Sequence, residues 1–208
     1  MQRPPSLPLA VAAALLTALP VQAQTVEVGP AVGGLLPLGS AYENPAYFRT
    51  DLPTNPGDLS GFLVGAHLRL RFGWGGLQVE ASQAYSSVGG GATPIGLLSP
   101  ARVKVQLASV QALHYWTPRT HRTQGWLGLG PGLVRYTGGA YSHLDAPTQV
   151  AGVVGSGLSV PLVGSLRAEV TGSLTVYHLR VRDSQGASLE SGIQFDSRLG
   201  LGLGWLLH

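Results

Sequence analysis

From residue 25 onward the chain alternates between apolar and other positions with period two, in pieces of roughly a dozen residues cut by Gly, Pro, Asn and Asp. A strand sends successive side chains to opposite faces, so this period predicts β-structure. The stretch Phe62 to Phe72 is one clear case. Phe62, Val64, Ala66, Leu68, Leu70 and Phe72 fall on one face, and Leu63, Gly65, His67, Arg69 and Arg71 on the other. Near the end, Leu199, Leu201, Leu203, Trp205 and Leu207 alternate with Gly200, Gly202, Gly204 and Leu206. Strands are expected at 25–36, 60–72, 77–87, 101–116, 124–136, 149–160, 163–181 and 194–207.

The connections then fall into two kinds. Long ones, 37–59, 88–100, 137–148 and 182–193, follow the odd strands; short ones, Gly73-Trp74-Gly75-Gly76, 117–123 and Pro161-Leu162, follow the even strands. Strict long–short alternation is the asymmetry of a transmembrane barrel with extracellular loops and periplasmic turns. Aromatic residues collect at the two rims: Phe72, Trp74, Tyr115, Trp116, Trp126 and Trp205 at the short-turn end, and Phe62, Tyr85, Tyr136, Tyr177 and Phe195 at the other. Two such girdles flanking an apolar band suit interfacial anchoring. Pro30 and Pro131 lie within strands and mark bulges or breaks in the ladder. Strict alternation in the fourth strand would turn Ser109 and Gln111 to lipid, so a bulge is expected near Ala108.

Composition supports the same architecture. Charged residues are 11% of the 208 positions, glycine occurs 30 times, and mean hydropathy is +0.20. A soluble barrel would load its polar face with Lys and Glu, whereas here that face is mostly Gly, Ala and Ser, as a narrow lumen requires. The net charge of +3 and the absence of a basic cluster argue against nucleic acid, and without cysteine there is no disulfide or thiolate site. The first residues read as a signal peptide: Arg3 is a positive n-region, Leu7 to Leu19 an apolar h-region, and Val21-Gln22-Ala23 a cleavage site. The expected organisation is a signal peptide at 1–23 and one domain at 24–208, an all-β, eight-stranded antiparallel up-and-down transmembrane β-barrel.

The segments Trp126-Leu127-Gly128-Leu129-Gly130-Pro131-Gly132-Leu133, Gly155-Ser156-Gly157-Leu158-Ser159-Val160-Pro161-Leu162 and Leu166-Arg167-Ala168-Glu169 carry a resemblance. They resemble the small outer-membrane β-barrel family, of which the OmpA transmembrane region and OmpW-like proteins are members. The resemblance implies an exported barrel placed in the outer membrane by the outer-membrane assembly machinery. Expected partners are outer-membrane lipid and lipopolysaccharide, and the expected state is a monomer. Family members usually end in Phe or Tyr, whereas this chain ends Trp205-Leu206-Leu207-His208, so the insertion signal is atypical or is read from Trp205. The scaffold carries no shared active site, and no residue role transfers.

The face assignment places Glu27, Arg69, Arg71, Glu80, Arg167 and Glu169 in the lumen at similar depth, which reads as a structural ion-pair network, because buried charges demand partners. The competing reading is a charge-lined constriction for solutes. Arg102, Lys104, Asp196 and Arg198 are expected inside as a second layer near the outer rim, suited to phosphate or other anions. A barrel enzyme acting on lipid A would need a nucleophile, a base and an orienting acid. The nearest material is Tyr141, Ser142, His143 and Asp145, then His178, Ser184 and Glu190, scattered without a known signature. His67, His114, His121, His143, His178 and His208 show no ligand spacing, and no cofactor motif is present. The function expected is therefore non-enzymatic: structural, surface-interactive or narrowly permeable, with a lipid A-modifying enzyme as the alternative.

Overall fold

The computed structural model describes residues 25–37, 61–88, 91–93, 96–98, 101–117, 122–137, 148–182 and 188–207. The proposed signal peptide and His208 lie outside them. Among the described residues ten strands are formed: β1 (Thr25–Pro37), β2 (Gly61–Phe72), β3 (Gly75–Val88), β4 (Gly91–Thr93), β5 (Gly96–Leu98), β6 (Ala101–Tyr115), β7 (Gln124–Thr137), β8 (Gln149–Val163), β9 (Leu166–Arg182) and β10 (Ser188–Leu207). Eight of them close into an antiparallel barrel in the order β1-β10-β9-β8-β7-β6-β3-β2, and β4 and β5 form a separate hairpin between β3 and β6. Closure removes every free edge, which is what lets strands cross a bilayer with all backbone groups paired.

The barrel is inside-out relative to a soluble protein. Val28, Val32, Leu129, Leu133, Val150, Val154, Leu158, Val170, Leu199, Leu201 and Leu203 are exposed on the outer wall, while Glu27, Arg69, Gln78, Gln111, Arg167, Glu169, Gln194, Asp196 and Arg198 are buried in the lumen. An apolar wall of that extent is stable only against hydrocarbon.

Two hairpins are closed by tight turns whose first residue is glycine at positive φ: Gly73 (62°) between Phe72 and Gly75, and Gly164 (57°) between Val163 and Leu166. Glycine at that position with a negative φ following is a type II′ turn, which matches strand twist. The expected turn at Pro161-Leu162 is thus displaced to Gly164-Ser165, since proline is locked near φ −65° and cannot supply the left-handed residue. β8 runs on to Val163, with a register irregularity between Pro161 and Val163. β10 likewise begins at Ser188, so the fourth long connection shrinks to 183–187, shorter than 116–123. The long–short alternation is strict for the first three loops only.

Pro30 and Pro131 break the ladder without bulging it. Pairing is lost between Val28↔Trp205 and Ala31↔Gly202, and between Ser109↔Gly132 and Ala112↔Leu129, with the same register on either side. Each proline follows a glycine, Gly29 or Gly130, and the missing Cβ lets the carbonyl of Leu203 or Val110 close in.

In β6 the expected bulge is absent. The strand pairs with β3 in one register from Val88↔Ala101 to Gly75↔His114, and alternates strictly. Ser109 and Gln111 point inward with Leu107, Leu113 and Tyr115, while Ala108, Val110 and Ala112 point outward. Without a bulge, the phase before Ala108 is the reverse of the one that would put Lys104 inside. Trp74, Trp116 and Trp205 line one outer rim, and Phe62, Tyr85 and Phe195 the other. Trp126, Tyr115, Tyr136 and Tyr177, expected in these girdles, are instead buried in the lumen. The Tyr136 and Tyr177 hydroxyls find partners there, and Trp126 borders a polar cavity, as described below.

Candidate functional site in the barrel lumen

The inward phases of β1, β2 and β9 bring Glu27, His67, Arg69 and Glu169 together. Glu27 and Arg69 are directly opposed in the β1–β2 ladder. Glu169 stands on β9, with β10 between it and β1, and it crosses because β10 presents only glycines there. A Cβ on Gly204 would lie 2.8 Å from Glu27 Cδ, and one on Gly202 would lie 3.6 Å from Glu169 Oε2. Gly204 is therefore the seat of the Glu27 carboxylate, while Glu169 lies in ordinary contact range of the Gly202 position.

Arg69 Nη1 donates to Glu27 Oε1 at 2.7 Å, and its guanidinium forks onto Glu169, with Nη1 on Oε1 and Nη2 on Oε2 at 3.0 Å. Its Nε donates to Gln78 Oε1 at 2.6 Å, and its plane lies over the Trp126 ring, 4.7 Å from the centroid. All five donors of an arginine sit in a fixed fork, so these partners hold its orientation as well as its charge. His67 Nε2 lies 3.5 Å from both Glu27 Oε1 and Glu169 Oε2.

The other three expected members stand apart from this cluster. Arg71 donates from Nε to the Gly73 carbonyl at 2.9 Å and from Nη2 to the Thr117 carbonyl at 3.0 Å, and lies over Tyr115 at 4.1 Å. Arg167 donates from Nε to Ser159 Oγ at 2.7 Å, and from Nη2 to the Arg122 and Ser159 carbonyls at 2.9 Å each. Both arginines sit nearer the rim, where turn carbonyls accept their protons. Glu80 is met by Gln78 Nε2 at 3.2 Å rather than by an arginine.

One ligand atom from each of Glu27, His67 and Glu169 lies within 4.8 Å of the others, a set able to hold a metal ion. Sequence spacing missed it because His67 joins across strands. The carboxylate oxygens involved already accept from Arg69, which supplies the cation of this cluster.

Trp126 closes the same level. Its ring fills space left by β8 glycines: a Cβ on Gly157 would lie 2.7 Å from it. A Cβ on Gly128 would meet Leu113 Cδ2 at 2.7 Å and Gln111 Oε1 at 2.8 Å. These glycines make room for large inward side chains rather than for a water path. Beside them is a cavity of about 40 Å³ bordered by His67, Arg69, Gln78, Gln111, Trp126 and Arg198. A water needs roughly 10–15 Å³, so the cavity suits a few waters and no nutrient-sized solute. Trp126 Nε1, Gln111 Oε1, His67 Nε2 and Arg198 Nε, buried without a protein hydrogen-bond partner, belong to residues bordering it.

Toward the long-loop end the lumen is held differently. The Tyr136 and Tyr177 hydroxyls meet each other and Asp196 Oδ2. Two protons serve these three contacts, so Tyr177 donates to Asp196 Oδ2 at 2.8 Å while Tyr136, 3.3 Å from that oxygen, shares its proton with the Tyr177 hydroxyl. Gln194 Nε2 adds a bond of 3.3 Å to Asp196 Oδ1, and Arg198 Nη1 donates to Ser82 Oγ at 3.1 Å. Asp196 and Arg198 are inside, as the expected second layer requires, but Lys104 is exposed on the outer wall, with Nζ 5.9 Å from the Tyr85 ring centroid. The reversed phase of β6 is the reason. The Arg102 side chain lies outside the described residues. So do Tyr141, Ser142, His143, Asp145 and Ser184 and the Glu190 side chain, while His178 is exposed on β9. Among the described residues no serine–histidine–acid arrangement forms in the lumen.

A lumen plugged by charged and aromatic side chains inside an apolar eight-stranded wall defines the class: a small barrel of the outer-membrane type. Solved structures agree at the level of the fold. Neisserial surface protein A is similar over 86% of this chain and 96% of its own, at 12% identity and a TM-score of 0.58. The outer membrane protein OprG from Pseudomonas aeruginosa matches over 88% and 96%, at 12% identity and 0.59. The outer membrane protein AlkL, solved in DMPC lipid bilayers, matches over 88% and 90%, at 17% identity and 0.50. No protein-family model and no curated protein sequence matches the chain.

Proposed function

We propose that the protein is a non-enzymatic outer-membrane barrel with a closed lumen, acting as a structural and surface-interacting element of the bacterial cell envelope. The observation that carries this reading is the plug. Arg69, clamped by Glu27, Glu169 and Gln78 against Trp126, fills the lumen at its level beside a small cavity. The outer membrane proteins OprG and AlkL, which it resembles in fold, support the location. In this reading the chain is exported, inserted by the outer-membrane assembly machinery, and monomeric.

Fractionation of cells producing the full chain tests it. The protein is expected in the outer-membrane fraction and to migrate differently on a gel before and after boiling, as closed barrels do. Recovery in a soluble fraction without detergent would contradict the reading.

A further inference from the structure

The acids and the cations of this barrel are distributed unequally between its two faces. Among the acids whose side chains are described, Glu27, Glu169 and Asp196 are buried and Glu80 also faces the lumen, so none of these four lies on the outer wall. Two cations do. Lys104 on β6 and Arg135 on β7 are exposed and point outward near the long-loop rim. In the β6–β7 ladder Lys104 is opposite Thr137 and Gln106 is opposite Arg135, which makes Lys104 and Arg135 diagonal neighbours. Diagonal pairs are spaced roughly 7–8 Å, within reach of two long side chains converging on one anion.

Their setting is built rather than incidental. Tyr85 is directly opposite Lys104 in the β3–β6 ladder, its ring 5.9 Å from the ammonium. Gln106 Nε2 donates to Gln83 Oε1 at 2.8 Å across the same ladder, fixing an amide pair beside Arg135. Below this sector the wall turns apolar at once, with Leu133, Leu129 and Val110 exposed. Elsewhere the outward residues toward the same rim include Leu36, Phe62, Val150, Ile193 and Phe195. Lys104 and Arg135 thus stand together on β6 and β7 with Gln83 and Gln106 beside them, while the exposed His178 is on β9, two strands away. In the outer-membrane reading this sector sits at the depth where a bilayer passes from acyl chain to headgroup.

Cations facing lipid at that depth need an anion supplied by the membrane. We propose that Lys104 and Arg135 form a binding site on the outer wall for a phosphate group of the outer-leaflet glycolipid, the phosphorylated sugar headgroup of lipid A. Arg135 supplies a planar fork matched to phosphate oxygens and Lys104 a mobile point charge. The Gln83–Gln106 pair offers its remaining amide groups to neighbouring sugar hydroxyls. The site rests on the outer-membrane reading above, and specifies which face of the barrel meets the lipid and through which chemistry.

The test uses the full chain refolded in detergent, with folding confirmed first by a strand-rich circular dichroism spectrum and heat-modifiable migration. Bound lipid is then read by native mass spectrometry during titration with lipid A, with enzymatically dephosphorylated lipid A, and with inorganic phosphate. The wild type is expected to retain lipid A at least tenfold more tightly than the dephosphorylated form, and to show no saturable binding of inorganic phosphate. The double variant Lys104→Gln/Arg135→Gln should lose that preference, whereas the swap Lys104→Arg/Arg135→Lys should keep most of it and so separate loss of charge from loss of fold. Equal retention of the two lipids by a folded wild type, or an undiminished preference in the folded double variant, would overturn the site. Saturable binding of inorganic phosphate as tight as that of lipid A would overturn the lipid as its occupant. A helical or heat-insensitive chain would instead bring down the barrel reading, and the site with it.

Discussion

The two halves of the lumen are built from the same residue types and held in different ways. In the short-turn half, Arg69 is ionically clamped between Glu27 and Glu169, with His67 at 3.5 Å from each acid. In the long-loop half, Asp196 is satisfied by neutral donors from Tyr136, Tyr177 and Gln194, and Arg198 bonds Ser82 with no ion pair between them. The difference shows which layer fixes the barrel shut. A charge cluster buried in a narrow lumen depends on every member, while a hydroxyl and amide network tolerates the loss of one bond.

Removing the clamp should have the largest effect. Arg69→Met leaves two carboxylates facing each other without their cation, and breaking a buried pair costs about 3–5 kcal/mol. Arg198→Met should cost less, about 1.5–3 kcal/mol, the range for hydrogen bonds to charged groups. Urea unfolding in lipid vesicles, followed by tryptophan fluorescence, measures both. Equal losses would erase the contrast between the layers.

Next in size is the wall that encloses both. Leu201 is exposed near the middle of β10 and faces lipid, so Leu201→Arg is expected to cost roughly 2–4 kcal/mol in the same assay. Its neighbour Gly200 faces the lumen beside Thr171, where a Cβ would lie 2.8 Å from Oγ1. Gly200→Ala must shift that hydroxyl but puts no charge into lipid, so it should cost less than Leu201→Arg; the reverse order would mean that the faces of β10 are exchanged.

The smallest effect belongs to the neutral layer. Tyr136→Phe removes one hydroxyl from the network while Tyr177 keeps its own bond of 2.8 Å to Asp196, so the expected cost is about 0.5–1.5 kcal/mol. A loss as large as that of Arg69→Met would show this layer to be as dependent on each member as the ionic one.

Much of this was legible in the sequence, for physical reasons that differ by element. β2 and β10 declare their faces because one side is leucine and the other arginine or glycine. β6 does not, because both of its faces carry apolar residues. Leucines fill the lumen there while alanines and Val110 meet lipid, and this displaced Lys104 to the outer wall. Turn positions followed glycine rather than proline, since only glycine adopts the positive φ that a tight hairpin uses. Pairing of the lumen charges was legible only in part. Glu27 and Arg69 are register partners, but Glu169 reaches them over a strand of glycines. Arg71 and Arg167 were drawn away by turn carbonyls that composition does not announce. His67 escaped notice because its partners are neighbours across the barrel and not along the chain.

The central claim is that the Arg69 clamp and Trp126 close the lumen, and single-channel recording in planar lipid bilayers tests it most directly. Eight strands leave an interior just wide enough for side chains to fill. The wild-type barrel is expected to show low or no steady conductance, and Glu169→Ala, which removes half of the clamp, is expected to raise it. A large, stable channel in the wild type, unchanged by Glu169→Ala, would contradict the account and make the barrel a porin.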